Sequence, residues 1–231
     1  NEVFCVAAQD DKIALGTIHK GLLLIDCSTM DVKYFNENNG LRNNTVLSVA
    51  FDSRGNLWAG LDSGVDYVSL SSSFTNLYSY SYGTGYTAAM EDGYLYLGTN
   101  RGLYYTSYPV RLNGNLPDIH PIPQSSGQVW NLCKIGDDLF CLHDRGIFQI
   151  KGTNMYRITD ITGAWYCQEV MGYPDRMYVG VYNGLYLLEK QSGEWRVLCK
   201  IDGFQDSCRL FEQESAKVLW IYNSGSITRV E

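Results

Sequence analysis

The chain has 231 residues, with 18 Lys and Arg against 25 Asp and Glu, a formal charge of −7, and three His. An acidic balance without a Lys/Arg cluster excludes a nucleic-acid partner, whose phosphates need a basic stripe; no apolar run approaches the ~20 residues of a membrane-spanning helix. With 45% apolar and 19% charged residues the composition is not that of a disordered chain.

A chain of this length buries roughly 70% of its unfolded surface, so a core needs neither a metal nor a disulfide staple. The 18 Tyr, 8 Phe and 5 Trp lean towards strand. The 23 Gly against 5 Pro predict many tight turns. The opening NEVFCVAAQDDK has neither a charged n-region nor a cleavage pattern, so no targeting signal is expected in this chain.

Taken in chain order, the segments fall into a repeat. An apolar run and a polar turn come first: VFCVAAQDDK, VLSVAFDSRGN, YTAAMEDG, VWNLCKIGDD, EVMGYPDR and CRLFEQESAK. Each leads into a second run that ends in glycine, such as Ala14 to Gly21, Trp58 to Gly64, Tyr96 to Gly102, Phe140 to Gly146, Tyr178 to Gly184 and Trp220 to Gly225. A third alternating run follows: LLLID, VDYVSL, LYYTSY, IFQI, LYLLE and ITRV. Fourth, weaker runs are VKYF, FTNLYSY, MYRI and EWRVLC. The closing glycines at 21, 64, 102, 146, 184 and 225 are separated by 43, 38, 44, 38 and 41 residues. Period-2 alternation bounded by Gly, Asn and Asp is the hairpin signal. Four antiparallel strands about every 40 residues predict an all-β chain, a β-propeller of about six blades and possibly a fragment of a seven-bladed ring. The blades are expected at 1–40, 41–82, 83–124, 125–162, 163–203 and, incomplete, 204–231, all in one domain. Trp58, Tyr96, Phe140, Tyr178 and Trp220 are the expected wedges between blades. A sandwich would not need such even spacing, and the turns of a β-helix are shorter. The turn Asp52-Ser-Arg-Gly-Asn56 joins the first two strands of its blade and needs no cofactor to explain it.

Seven cysteines are present without a C-x-x-C, and five lie in apolar alternating segments, which favours free thiols; a Cys133–Cys141 bridge is the disfavoured alternative. His19, His120 and His143 share no metal-ligand spacing. Gly83-Thr-Gly-Tyr-Thr-Ala88 mimics a dinucleotide fingerprint, but strand, turn and strand follow it where a helix is required. There is no G-x-S-x-G elbow. The acidic residues fall mostly in turns, so no catalytic residue, cofactor or metal is expected.

In the second repeat Gly40-Leu41, Asn43-Asn44, Val46, Asp52, Gly55-Asn-Leu-Trp58, Gly60 and Gly64 resemble the repeat of the two-component regulator propeller family, approximately GLxNNxV followed by DxxGxLWxGTxxGL. The match is close over residues 40–70 and degenerate elsewhere. The resemblance implies a seven-bladed propeller in the periplasmic ectodomain of a bacterial sensor histidine kinase. It also implies a neighbouring propeller and an immunoglobulin-like domain, a homodimer in the full-length protein, and responses to oligosaccharides.

The loops joining second to third strands should share one face, carrying Asp62-Ser63, Asn100-Arg101, His143-Asp144-Arg145 and Tyr182-Asn183, with Trp130 and Trp165 starting inner strands nearby. Flat rings with Arg, Asp and Asn are what a sugar site uses. Arg101, His143, Arg145, Tyr182 and Trp165 are therefore the candidate ligand-binding residues. The bland alternative is turn chemistry and inter-blade packing. Tyr78, Tyr80 and Tyr82 should share one face of an outer strand, with Tyr86 beyond a turn. The expected function is a non-catalytic, ligand-sensing periplasmic domain. The alternatives are a propeller glycosidase or lyase, or a protein-docking scaffold.

Overall fold

The computed structural model describes residues 2–72, 80–110, 112–113, 116–223 and 225–231. They form two compact units, residues 1–81 with 111–118, and residues 82–110 with 119–231.

In the first unit, β1 (Val3–Gln9), β2 (Lys12–Thr17), β3 (Leu22–Asp26) and β4 (Val32–Phe35) form one antiparallel sheet in sequential order. β5 (Val46–Phe51), β6 (Leu57–Leu61) and β7 (Gly64–Val68) form a second. Alternation supplies the core: Ala14, Leu22, Leu24, Val46, Leu57, Ala59 and Leu61 all point into one buried cluster with Leu41. The segment 40–63 holds these sheets together with short polar side chains. Asn44 Oδ1 accepts from the Glu37 amide (2.9 Å) while the Asn44 amide donates to Glu37 Oε1 (3.2 Å). Thr45 Oγ1 donates to the Ile18 carbonyl at 2.8 Å. In the DSRGN turn Asp52 Oδ1 accepts from the Arg54 and Asn56 amides at 2.8 and 2.9 Å, and Gly55 takes φ 76°. This is Asx-turn chemistry, and the Asn56 amide foremost holds the Asp52 carboxyl below its ordinary value.

The second unit continues the pattern. β8 (Gly85–Glu91), β9 (Tyr94–Thr99) and β10 (Leu103–Ser107) pair in order. Residues 111–118, which belong to the first unit, hold a ribbon of β11 (Leu112–Asn113) and β12 (Leu116–Pro117). β13 (His120–Pro121) then completes the β8–β10 sheet along the edge of β10. Next come β14 (Val129–Ile135), β15 (Asp138–His143), β16 (Gly146–Lys151) and β17 (Asn154–Thr159) in one sheet. β18 (Tyr166–Val170), β19 (Tyr173–Val181), β20 (Gly184–Gln191) and β21 (Glu194–Lys200) make another. β22 (Leu210–Ser215), β23 (Val218–Asn223) and β24 (Ser226–Val230) make the last. Asp92-Gly93 turns β8 into β9 with φ 48° and 77°, the type I′ geometry that suits a two-residue hairpin.

The sheets of the second unit pack through their first strands, β8 on β14, β14 on β18, and β18 on β22. Between them lie three apolar clusters, centred on Tyr96 and Phe148, on Phe140 and Met177, and on Tyr178 and Phe211. Of the expected wedges, Tyr96, Phe140 and Tyr178 are buried, whereas Trp58 and Trp220 are 48% and 43% exposed. The phenols double as latches. Tyr96 Oη donates to the Gly152 carbonyl and Tyr178 Oη to the Ala216 carbonyl, each at 2.9 Å in the following sheet. The repeated glycine of the second strand has a packing reason: a Cβ at Gly98 would collide with Thr87 and with Val129 of the next sheet.

Two expectations are corrected. Cys133 and Cys167 form a disulfide, with Cα atoms 6.7 Å apart, that ties β14 to β18. Cys133 pairs with Phe140 across the β14–β15 hairpin, so Cys141, next to Phe140, faces the opposite side and cannot be its partner. Cys5, Cys27, Cys141, Cys199 and Cys208 are free. Residues 80–82 form a 3₁₀ turn, not the end of an outer strand, because Gly83 at φ 88° bends the chain into β8. Tyr78 and most of the proposed fourth strand at 74–80 lie outside the described residues.

Candidate functional site

The first strand of most sheets begins with a β-bulge, and the bulge falls at the same place each time. Pairing skips one residue between Val3 and Cys5, Val46 and Ser48, Gly85 and Thr87, and Val129 and Asn131. The skipped residues are Phe4, Leu47, Tyr86 and Trp130. Pairing of Tyr166 with Gly180 and of Leu210 with Tyr222 puts Trp165 and Arg209 at the corresponding positions in the last two sheets. A bulge re-aims its extra side chain out of the pleat. In the second unit bulges carry Tyr86 and Trp130, while Trp165 and Arg209 hold the equivalent place just before the first strand of the next two sheets.

Their side chains touch. Tyr86 stacks on Trp130 with ring centroids 5.3 Å apart and planes 17° off parallel. Trp130 lies 4.2 Å from Trp165, and Trp165 meets Tyr182 edge-on at 5.2 Å. Trp130 Nε1–H donates to Tyr182 Oη at 3.1 Å. The Arg209 guanidinium covers Trp165 at 5.2 Å from the ring centroid. Tyr86 and Tyr182 remain 43% and 42% exposed, so the array is open to solvent. Trp165 Nε1 is buried and has no hydrogen-bond partner among the described residues, a donor whose isolation costs about 1–3 kcal/mol.

The backbone around the array is pinned. The Gly163 and Ala164 amides donate to the Asp144 and His143 carbonyls at 3.0 and 3.3 Å, and the Trp165 amide to Gly180 at 2.9 Å. A Cβ at Gly163, which has φ 71°, would fall inside the Tyr182 ring. Gly163 is thus the seat on which Tyr182 lies. The Cys133–Cys167 bridge fixes β14 against β18, the strands next to Trp130 and Trp165 in sequence.

Of the five residues expected at the site, the structure brings Trp165 and Tyr182 together. His143 is fully buried against Phe148. Its Nε2 is 3.2 Å from the Ser125 carbonyl and its Nδ1 accepts from the Arg145 amide at 3.1 Å. Burial lowers its pKa despite these partners, which keeps the ring neutral at pH 7. Nδ1 also lies against Asp144 Oδ1, so Ser125, Arg145 and Asp144 together hold the ring, and His143 steadies the turn without facing solvent. Arg145 donates from Nη2 to the Gln124 carbonyl at 3.0 Å. Arg101 is exposed, its amide donating to Thr99 Oγ1 at 3.0 Å. Arg145 has no ring contact with the array among the described residues. Tyr86 and Arg209 were missed by sequence reasoning. The signal that finds them is the alignment of YTAAME, WNLCKI, WYCQEV and RLFEQE on their first residues. Trp130 was expected near the site and lies at its centre. Of the tyrosine patch, Tyr82 packs edge-on against Tyr104 at 5.1 Å, and Tyr86 joins the array.

Comparisons with known proteins bear on the fold. Residues 40–63 match the family described as Two component regulator propeller. The extracellular domain of the putative hybrid two component system BT4673 from B. thetaiotaomicron is similar over 99% of this chain and 36% of its own, with TM-score 0.53 and 15% identity. That of the putative hybrid two component system BT3049, from the same organism, is similar over 100% of this chain and 33% of its own, with TM-score 0.50 and 18% identity. The chain spans about a third of the length of these structures. No curated protein matches it. With four- and three-stranded blades in sequential order and the matched segment at its second sheet, the chain has the fold of a partial β-propeller, and its residues 40–63 match one two component regulator propeller repeat.

Proposed function

We propose that the chain is a non-catalytic ligand-sensing part of a bacterial two-component ectodomain, and that it recognises an oligosaccharide through the ring array of its second unit. The observation that carries this reading is the column Tyr86–Trp130–Trp165–Tyr182, left open to solvent at Tyr86 and Tyr182. Large aromatic surface in water is costly unless something covers it. Rings with hydroxyl and N–H tips offer a sugar both its apolar C–H face and its hydroxyls a partner. The family match and the two similar ectodomains support a sensing role. A periplasmic place in the parent protein is supported by the Cys133–Cys167 bridge, since disulfides persist in oxidising compartments. Among the described residues no helix is long and apolar enough to cross a membrane. A histidine-kinase output, a neighbouring propeller, an immunoglobulin-like domain and a homodimer belong to the same proposal for the parent.

The signal would be a change in how such ectodomains pack, because stacked, cross-linked sheets leave little internal freedom. The test is a thermal-shift screen of the chain against plant and host oligosaccharides, with sugar products followed in the same wells. A ligand at 100 times its Kd stabilises by about 2.7 kcal/mol, or about 5–11 °C for a chain of this size. Stabilisation without product supports the sensor. Product formation overturns it in favour of a glycosidase or lyase, and silence across the panel overturns it in favour of a protein-docking scaffold.

A further inference from the structure

We infer, resting on the oligosaccharide reading above, that the array takes an acidic sugar chain, and that Arg209 binds the carboxylate of a uronic-acid residue. Arg209 stands at the position where the three preceding sheets place a ring, so the column of aromatics ends in a cation. Four other arginines are ion-paired among the described residues, and Arg145 and Arg157 donate to carbonyls. Arg42 pairs with Asp66, Arg176 with Glu189, Arg196 with Glu194, and Arg229 with Glu214 and Glu231. Arg209 is exposed, and its guanidinium has no acidic or carbonyl partner among the described residues, only the face of Trp165. In a chain of net charge −7 a cation left without a carboxylate beside an open aromatic surface is an unmet charge.

Its geometry states what would meet it. A guanidinium lying on an indole gives up one face to the ring while its N–H donors, which lie in its plane, stay available. Two parallel N–H groups match the two oxygens of a carboxylate. Stacking also fixes the fork before the ligand arrives, which lowers the entropy lost on binding. Tyr182 Oη, engaged as an acceptor by Trp130, retains its own proton for a sugar oxygen, and Tyr86 at the far end offers a half-exposed ring to the apolar face of a second residue. The site therefore reads, from Arg209 to Tyr86, as a carboxylate clamp followed by a sugar platform.

The experiment is calorimetric titration of the chain with uronate trisaccharides (galacturonate, glucuronate and mannuronate) and with the same trisaccharides after carboxyl reduction. Arg209→Gln and Arg209→Lys are titrated in parallel, with thermal melts to verify folding. At least one acidic trisaccharide should bind, at least tenfold more tightly than its reduced form, and the gap should narrow with added salt. Arg209→Gln should remove the gap between acidic and reduced forms, and Arg209→Lys, which keeps charge but loses the fork, should fall between. Equal affinity for acidic and reduced forms, or an undiminished gap in a folded Arg209→Gln, overturns the anionic assignment and leaves the sensor reading standing. If no acidic trisaccharide binds while neutral oligosaccharides do, the assignment likewise fails. If no saccharide binds at all, the underlying reading fails with it.

Discussion

Asp138 tests how the blades of the second unit are held together. It lies at the start of β15, yet two of its three partners come from the next sheet. Oδ2 accepts from Lys190 Nζ at 2.6 Å and from Trp195 Nε1 at 2.7 Å, and Oδ1 accepts from Gln149 Nε2 at 2.7 Å. Trp195 is only 6% exposed and packs edge-on against Phe140, so its N–H has no water to turn to. Asp138→Ala leaves that donor orphaned, at about 2 kcal/mol. Lys190 is about a third exposed and resolvates, so the lost ion pair adds only about 0.5 kcal/mol, and loss of the bond to half-buried Gln149 adds a similar amount. The sum is about 3 kcal/mol, a Tm loss of about 6–12 °C. Asp138→Asn keeps an acceptor for Trp195 and should cost about 1 kcal/mol. Burial would raise the Asp138 pKa, but Lys190, then Trp195 and Gln149, together hold it below the ordinary aspartate value. A carboxyl with a depressed folded pKa stabilises the fold above its unfolded pKa, and that contribution is lost as the pH falls through about 4 to the folded value. Asp138→Asn should therefore flatten the acid limb of the stability curve. The assay is thermal unfolding from pH 3 to 7. A Tm change in Asp138→Ala of under 2 °C at neutral pH would refute the view of Asp138 as an inter-sheet node.

Three further outcomes are expected. Removing the Cys133–Cys167 bridge by double serine substitution frees a loop with sequence separation 34 and should cost about 3–4 kcal/mol, read as a shift in the urea midpoint that reductant reproduces in the parent chain. Gly163→Ala should unseat Tyr182 from the array and strain a backbone at φ 71°, lowering stability by about 1–3 kcal/mol and reducing the near-ultraviolet circular dichroism of the coupled Trp130, Trp165 and Tyr182. Tyr96→Phe removes the bond to the Gly152 carbonyl from a phenol whose pKa burial pushes up to about 12. It should cost about 1 kcal/mol at every pH below that value, so a pH-dependent effect between 5 and 9 would contradict the assignment.

Much of the fold is legible because each hairpin states itself locally. Asp10-Asp11, Asp92-Gly93 and Gly136-Asp137 mark the first turns, and the closing glycines, from Gly21 at φ 78° to Gly225 at φ 90°, mark the second. The family segment is legible for the same reason, since Asn44, Thr45 and Asp52 act on near neighbours or on the adjacent sheet. What pairs across sheets is not written locally. Cys133 and Cys167 meet because β14 packs on β18, and nothing in either segment names the other. His143 looks like a loop ligand in FCLHDRG, but the turn folds its ring inward to span Ser125 and Arg145. Tyr86 was hidden by the bulge, which shifts one residue out of the period-2 alternation on which strand reading depends, and Arg209 by its place just before the first strand of its sheet.

The claim that the open ring array takes a ligand is tested most directly at Tyr86, which stacks on Trp130 from the solvent side and supports no buried contact named above. Calorimetry with the oligosaccharide that most stabilises the chain should give at least tenfold weaker binding to Tyr86→Ala, with a Tm within about 2 °C of the parent, as expected for losing one sugar-stacking platform. Equal affinity in a variant that melts normally would mean that the ligand sits elsewhere and that the column of rings serves packing alone.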